Sequence, residues 1–174
     1  MNRKIYTIGH STLPLVDFLQ TIKTFSIQQV VDVRTIPGSR HSPQFNKDHM
    51  DSSLLQHGIG YMHLPGLGGL RHASRDSINT GWKNASFRGY ADYMQTEGFN
   101  EALRELINLA ERSLSVIMCA EALPWRCHRS LIGDALVVRG FDVEDIIGNN
   151  ARSHRLTPWA KIEDERIMYP VSNV

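Results

Sequence analysis

Apolar residues along the chain form two kinds of pattern, short continuous runs and longer segments with a helical repeat. The short runs, typical of strands buried inside a sheet, lie at residues 4–8, 27–33, 60–64, 115–118 and 143–147. Between them, apolar residues recur every three or four positions. This spacing predicts helices over residues 14–25, 47–57, 87–95, 98–112 and 128–139.

The alternation of strands and helices predicts a single α/β domain over residues 1–174. We expect a three-layer, Rossmann-like fold with a mainly parallel five-stranded sheet in the order 3-2-1-4-5. Two segments lie outside this pattern. Residues 65–86 are irregular and rich in glycine, which favours a functional loop or mobile flap. Residues 149–174 form a polar tail with a late apolar patch.

Composition restricts the class of protein. Its 174 residues, 41% hydrophobic and 21% charged, suit an ordinary globular domain and exclude wholesale disorder. No apolar run approaches the roughly 20 residues of a membrane helix, and the N-terminus lacks the apolar core of a signal peptide. With only two cysteines, a disulfide scaffold is also excluded, and we expect a cytoplasmic protein with no membrane partner.

The net charge of +1 argues against a protein held to nucleic acid by bulk charge. The charge is uneven, however. Residues 34–88 carry seven basic and three acidic residues and five of the eight histidines. Of the 19 basic residues in the chain, 14 are arginine, the better bidentate partner for phosphate and carboxylate.

Polar side chains follow four of the predicted strands. They are His10 at the end of the first, Asp32 and Arg34 at the end of the second, His63 at the end of the third, and Cys119 with Glu121 at the end of the fourth. Ligands of open parallel sheets bind at the carboxyl ends of the strands. This edge is therefore the predicted functional site.

Cys119 is the candidate nucleophile, because a thiol at a strand end near arginines and a helix N-terminus has a lowered pKa. His128 and Asp32 are candidate bases, and Glu121 could orient His128 or act as a general acid or base. Alternatives remain open at Cys119: a buried core residue, a reversible disulfide with Cys127, or a zinc ligand. A zinc site would need Cys119, Cys127, His128 and His10.

Four arginines on loops near this edge could hold an anion. They are Arg34, Arg40, Arg126 and Arg129, with His10 as a further binding residue. Arg129 begins a predicted helix, whose free N–H groups favour an anion. Alternatively, Arg34 forms a structural ion pair with Asp32 or Glu121.

Several motifs in order along the chain resemble one bacterial family. They are Thr7-Ile8-Gly9-His10-Ser11, Val31-Asp32-Val33-Arg34, Leu67-Gly68-Gly69, Phe87-Arg88-Gly89-Tyr90 and, most specifically, Cys119-Ala120-Glu121 with Cys127-His128-Arg129. From about residue 5 to 170 the chain resembles the domain of unknown function 488. The resemblance implies a compact cytosolic α/β domain and supplies no reaction. A fainter similarity is to rhodanese-like domains, which also have Asp-x-Arg after a buried strand and a cysteine after a later one.

Three functional hypotheses follow. The first is an enzyme that acts on an anionic small molecule, or on a nucleotide or nucleic-acid end, at the carboxyl edge of the sheet. The second is a non-catalytic nucleotide or nucleic-acid binding module that uses the basic 34–88 stretch and its aromatic residues. The third is a thiol-based redox or metal-binding protein. No cofactor is assigned, and the sequence does not indicate the oligomeric state.

Overall fold

A six-stranded sheet forms the centre of the structure, a computed structural model that describes residues 1–171. Its parallel strands are β1 (Lys4–Gly9), β2 (Gln29–Asp32), β3 (Gly60–His63), β4 (Ser115–Cys119) and β5 (Asp142–Ile147). A further strand, β6 (Asn150–Ser153), pairs antiparallel with β5. The predicted α/β class with a mainly parallel sheet is confirmed, with six strands instead of five.

The order of the strands is β3-β2-β4-β1-β5-β6, so the expected order 3-2-1-4-5 is wrong. β4 lies between β2 and β1, and Ser115 is in register with Gln29 on one side and Ile5 on the other. Every residue of β4 is buried, which suits a strand covered by neighbours at both edges and by helices on both faces. This placement brings the end of β4 between the ends of β1 and β2.

Five helices cover the two faces of the sheet. They are α1 (Leu15–Thr24), α2 (Lys47–Gln56), α3 (Ala85–Tyr93), α4 (Glu97–Arg112) and α5 (Arg129–Val138). Alternate residues of each strand point to opposite faces, so Ile117 belongs to one apolar core and Val116 to the other. The first core is packed by α3, α4 and α5, and the second by α1 and α2. Within residues 1–171, no helix is long and apolar enough to cross a membrane.

The irregular stretch over residues 65–86 is anchored along much of its length. The Asp92 carboxylate accepts hydrogen bonds from the Ser74 N–H, the Ser77 hydroxyl and the Asn79 amide. Asn79 is fully buried and also accepts a hydrogen bond from the Tyr169 N–H. These contacts hold the stretch against α3 and the C-terminal segment.

The C-terminal segment is folded where the sequence predicts a polar tail. After β6 it forms a two-stranded hairpin of β7 (Lys161–Glu163) and β8 (Arg166–Met168). The late apolar patch explains its packing, because Ile167 and Tyr169 are buried in the core. The last three residues of the predicted tail, 172–174, lie outside the described residues.

A buried polar cluster ties this segment to the sheet. The His154 ring lies between two carboxylates, with Nε2 2.9 Å from Asp134 and Nδ1 2.9 Å from Asp145. The Tyr169 hydroxyl donates to Asp134. Burial by itself lowers the pKa of His154, but the hydrogen bonds to the two carboxylates outweigh it and raise the pKa to about 9. His154 is therefore a buried cation at neutral pH.

We expect the free energy of unfolding to depend on pH through His154. Its folded pKa of about 9 exceeds the value of 6.5 for a free histidine. The stabilisation is therefore complete below pH 6.5 and is lost as pH rises through about 9, by about 3 kcal/mol. Urea unfolding of the wild type and of His154→Gln at several pH values between 6 and 9.5 checks this. The two curves should converge with rising pH, and parallel curves would contradict the assignment.

Candidate functional site

A cavity of about 570 Å³ lies at the carboxyl ends of β1, β2 and β4. Because β4 lies between the other two strands, its last residue, Cys119, has His10 on one side and Arg34 on the other. Six of the residues that line the cavity carry ionisable or thiol groups predicted from the sequence: His10, Arg34, Cys119, Glu121, Cys127 and His128. The structure therefore brings most of the predicted site residues together.

Two free cysteines are in direct contact at this cavity. The Sγ atoms of Cys119 and Cys127 are 2.7 Å apart, and the Cys127 thiol donates to Cys119. Both residues are almost completely buried, with 2% and 7% of their surface exposed. The segment between them, residues 120–126, packs against the end of β1. The contact makes Cys119 the acceptor and Cys127 the donor of the pair.

Arg129 lies beside this pair with no exposed surface. Its Nη1 donates to Cys119 Sγ at 2.7 Å and to the Glu121 carbonyl, and its Nη2 donates to the Ala122 carbonyl at 3.0 Å. Within residues 1–171, no carboxylate lies within 4.0 Å of this guanidinium. A buried cation without an anionic partner is costly, so the geometry favours the thiolate form of Cys119.

The pKa values of the two thiols are shifted in opposite directions by these contacts. Burial by itself raises the pKa of Cys119, but the hydrogen bond from Cys127 and the charge of Arg129 outweigh it and lower the pKa to about 7. The pKa of Cys127 is raised, first by its hydrogen bond to Cys119 and then by burial. These opposite shifts favour the thiolate at Cys119 and the protonated thiol at Cys127.

His128 contacts Cys127 rather than Cys119. Its Nε2–H donates to the Val33 carbonyl at 2.9 Å, which leaves Nδ1 as an acceptor 3.5 Å from Cys127 Sγ. Burial lowers the pKa of His128 to about 4, so the ring is neutral. With its proton directed to Cys119, the Cys127 thiol has none left for Nδ1, so His128 packs beside Cys127 without fixing its proton.

Arg34 is held rigidly at the opposite wall of the cavity. Its guanidinium forms a bidentate pair with Asp32 at 2.7 and 2.9 Å and donates to the Phe45 carbonyl at 2.6 Å. Nη1 donates to His10 Nε2 at 3.3 Å. Only one of its N–H groups, on Nη1, has no acceptor within residues 1–171. That group belongs to a side chain lining the cavity and can bind an anion there.

Asp32 is fully buried and lies behind Arg34 rather than on the cavity wall. Its oxygens accept hydrogen bonds from Arg34 and from the Tyr61 hydroxyl, 2.6 Å away. The structural ion pair, one of the alternatives from the sequence, is therefore the observed arrangement. Both carboxylate oxygens accept hydrogen bonds from the protein. Asp32 therefore has no free oxygen with which to act as the base expected from the sequence.

His10 is a neutral member of the cavity wall. Its ring stacks on Phe45 with centroids 4.3 Å apart. Nδ1–H donates to the Ser11 carbonyl at 2.8 Å, so Nε2 accepts from Arg34. Burial lowers the pKa of His10. Through the hydrogen bond at Nε2, the His10 ring orients Arg34.

The other predicted anion-binding arginines are placed differently. Arg40 is exposed and does not line the cavity. Arg126 is exposed and lines a smaller adjoining cavity of about 190 Å³, which shares Cys127 and His128 with the first. Arg129 points inward to the thiol and the loop carbonyls. Arg34 alone of the four lines the main cavity.

The zinc alternative has no geometric support. Within residues 1–171, no group of three or more histidine, cysteine, aspartate or glutamate side chains is arranged to hold a metal ion. Both ring nitrogens of His10 already have protein partners, as does Nε2 of His128.

Two residues at the end of β1, which sequence reasoning did not single out for this role, shape the cavity. A Cβ atom on Gly9 would overlap the Glu121 carbonyl, so only glycine permits the close approach of residues 120–122. The next turn contains Ser11 at φ +46°, and its N–H donates to the Ala120 carbonyl. The glycine directly after an apolar run was the available signal for this contact.

We expect the pKa of Cys119 to depend on the donor at position 127. Cys127→Ser keeps a hydroxyl that can donate to Cys119, whereas Cys127→Ala removes the donor. The alanine variant should therefore have the higher thiol pKa, by about one unit. Both variants have a single thiol, so the pH dependence of iodoacetamide alkylation reports Cys119 directly. Equal pKa values in the two variants would show that the sulfur contact has no electrostatic effect.

Comparison with known proteins gives a family. The family model described as "Domain of unknown function DUF488" matches residues 14–136, which include the Arg34 motif and the whole segment from Cys119 to Arg129. Searches of curated proteins and of solved structures found no match, and none of these findings supports the rhodanese-like similarity. The match covers well over half of the chain, and the chain therefore belongs to the DUF488 family.

Proposed function

We propose that this protein is a thiol-dependent enzyme that acts on a small anionic substrate. The observation that carries the proposal is the buried Arg129 guanidinium bonded to Cys119, which makes an ionised thiol available at a cavity wall. Activated cysteines of enzymes are typically held beside such a cation. The reducing cytoplasm would keep both thiols free.

The substrate anion binds the free Nη1–H of Arg34, across the cavity from Cys119. This arginine is suited to the role because Asp32, Phe45 and His10 fix its orientation before any ligand arrives. Charge-assisted hydrogen bonds of this kind are about twice as strong as neutral ones. The site thus selects a molecule with an anionic group near its electrophilic centre.

The chemistry follows from the Cys119 thiolate and from Glu121, the acidic residue of the cavity wall. Cys119 Sγ forms a bond to the electrophilic atom, and the leaving group departs with its electron pair and takes a proton from solvent. Water then attacks the covalent intermediate, and the Glu121 carboxylate accepts the water proton as the thiolate leaves. Glu121 is suited to this because its Oε1 is fixed by the Leu123 N–H at 3.2 Å.

The anion preference of the cavity is testable without knowing the substrate. Iodoacetate and iodoacetamide alkylate thiols by the same reaction but differ in charge. Relative to a free thiol such as glutathione, Cys119 should favour iodoacetate by roughly tenfold, as expected for one added charged hydrogen bond. Inorganic phosphate should protect it.

The control for this experiment separates Arg34 from general surface charge. In the double variant Asp32→Asn, Arg34→Met the preference should vanish, because the cavity loses its cation without leaving an unpaired buried carboxylate. Arg40→Met removes an exposed arginine that does not line the cavity, and it should leave the preference unchanged. A wild-type ratio equal to that of glutathione would contradict the proposal.

The sulfur contact favours a second function, dithiol–disulfide exchange. In this reaction the Cys119 thiolate attacks a substrate disulfide and releases one thiol, and Cys127 then displaces the second thiol to form a Cys119–Cys127 disulfide. Two electrons pass from the two cysteines to the substrate disulfide, so oxidation and reduction are balanced. Glutathione disulfide should then give the internal disulfide and two equivalents of glutathione. A stable mixed disulfide at Cys119 in the wild type would reject this function and leave the first intact.

A further inference from the structure

A second cavity, of about 640 Å³, lies on another side of the segment that carries Cys127 and His128. Trp125 and Ser130, which flank those two residues along the chain, line it, and none of its lining residues lines the Cys119 cavity. The remaining walls come from β5, from β6 and the segment after it, and from the irregular stretch before α3. The cavity is therefore spatially distinct from the proposed active site.

All three tryptophans of the chain line this cavity: Trp82, Trp125 and Trp159. Trp82 and Trp159 pack edge to face, with centroids 4.9 Å apart, and Trp125 is about half exposed. They come from three segments distant in sequence. Trp82 is already stacked on Phe87, so the flat surface open to a planar ligand is that of Trp125 and Trp159.

Two arginines on the same wall have no acidic partner. Within residues 1–171, neither Arg152 nor Arg155 has a carboxylate within 4.0 Å, and both side chains are exposed. The guanidinium of Arg152 lies over the Trp125 ring at 5.2 Å. The acidic residue of the wall, Asp145, is already paired with His154. His154 is shared with Asp134, so the cavity combines aromatic surface with two arginines that have no acidic partner of their own.

The indole N–H groups supply a further observation. Nε1 of Trp82 and Nε1 of Trp159 are buried and have no hydrogen-bond acceptor within residues 1–171. Because both nitrogens are covered by the protein itself, they show how tightly the two indoles are packed and are not contacts open to a ligand.

We infer that this cavity binds a nucleotide, with the base against the tryptophans and the phosphate on Arg152 and Arg155. A purely apolar ligand would leave the arginines unused, and inorganic phosphate would leave the aromatic surface unused. A nucleotide uses both, because every base has a planar face and its phosphate suits a guanidinium. The inference is independent of the chemistry proposed at Cys119.

Intrinsic fluorescence is a direct probe, since every tryptophan of the chain lines the cavity. The full chain is excited selectively at tryptophan and titrated separately with uridine monophosphate, a short single-stranded oligothymidylate and inorganic phosphate. Isothermal calorimetry on the same samples excludes light absorption by the bases as the cause of quenching. We expect saturable binding of the mononucleotide or the oligonucleotide, and the tighter of the two identifies the source of the nucleotide.

Variants separate this site from general charge attraction. Trp125→Ala should weaken binding by roughly tenfold or more, while Trp125→Phe, which keeps a ring, should retain most of it. The double variant Arg152→Ala, Arg155→Ala should weaken binding and flatten its salt dependence. Arg112→Ala removes an exposed charge at the end of α4, away from both cavities, and should change nothing.

The remaining outcomes overturn the inference. These are no binding of either nucleotide probe, equal binding of inorganic phosphate, or nucleotide binding that the Trp125 and Arg152, Arg155 variants leave unchanged. Binding that is lost in Cys119→Ser but kept in those variants would place the nucleotide in the first cavity and also overturn it.

Discussion

The burial of Arg129 under the end of the sheet is the constraint on which the candidate site depends. Its guanidinium is bonded to Cys119, to the Glu121 and Ala122 carbonyls and, at 3.4 Å, to the Thr7 hydroxyl. The strands β1 and β4, the segment after Cys119 and the first turn of α5 therefore meet at one cation. Since carbonyls offer only partial charges, the thiolate is the anion that completes this arrangement.

The rest of the site is arranged around that thiolate. Cys127 donates to it and His128 lies beside Cys127. Across the cavity a second buried arginine, Arg34, is neutralised by Asp32 and keeps one free N–H. In the proposed function, one arginine activates the sulfur from within the protein, and the other is available to a ligand. Arg129 and Arg34 thus differ in their contacts, although the sequence alone does not distinguish them.

Much of the fold could be predicted from the sequence, because apolar runs and helical repeats are local signals. The strand order could not, since the position of β4 between β2 and β1 depends on pairing between residues far apart in the chain. The edge of the sheet that holds the candidate site could be predicted from the polar residues at the strand ends. The orientation of Arg129 did not, because the start of a helix can point a side chain to solvent or to the core. Likewise, Asp32 could equally have faced the cavity or Arg34.

The central claim is that Arg129 keeps Cys119 ionised, and thiolate absorbance near 240 nm measures this directly. In Cys127→Ser, which leaves Cys119 as the one thiol of the chain and keeps a donor at position 127, the titration should have its midpoint clearly below the usual thiol value of 9.0. Replacing Arg129 by methionine in the same background should move the midpoint upward by at least about one pH unit. A midpoint near 9 with Arg129 present, or one that is unchanged without it, would contradict the account.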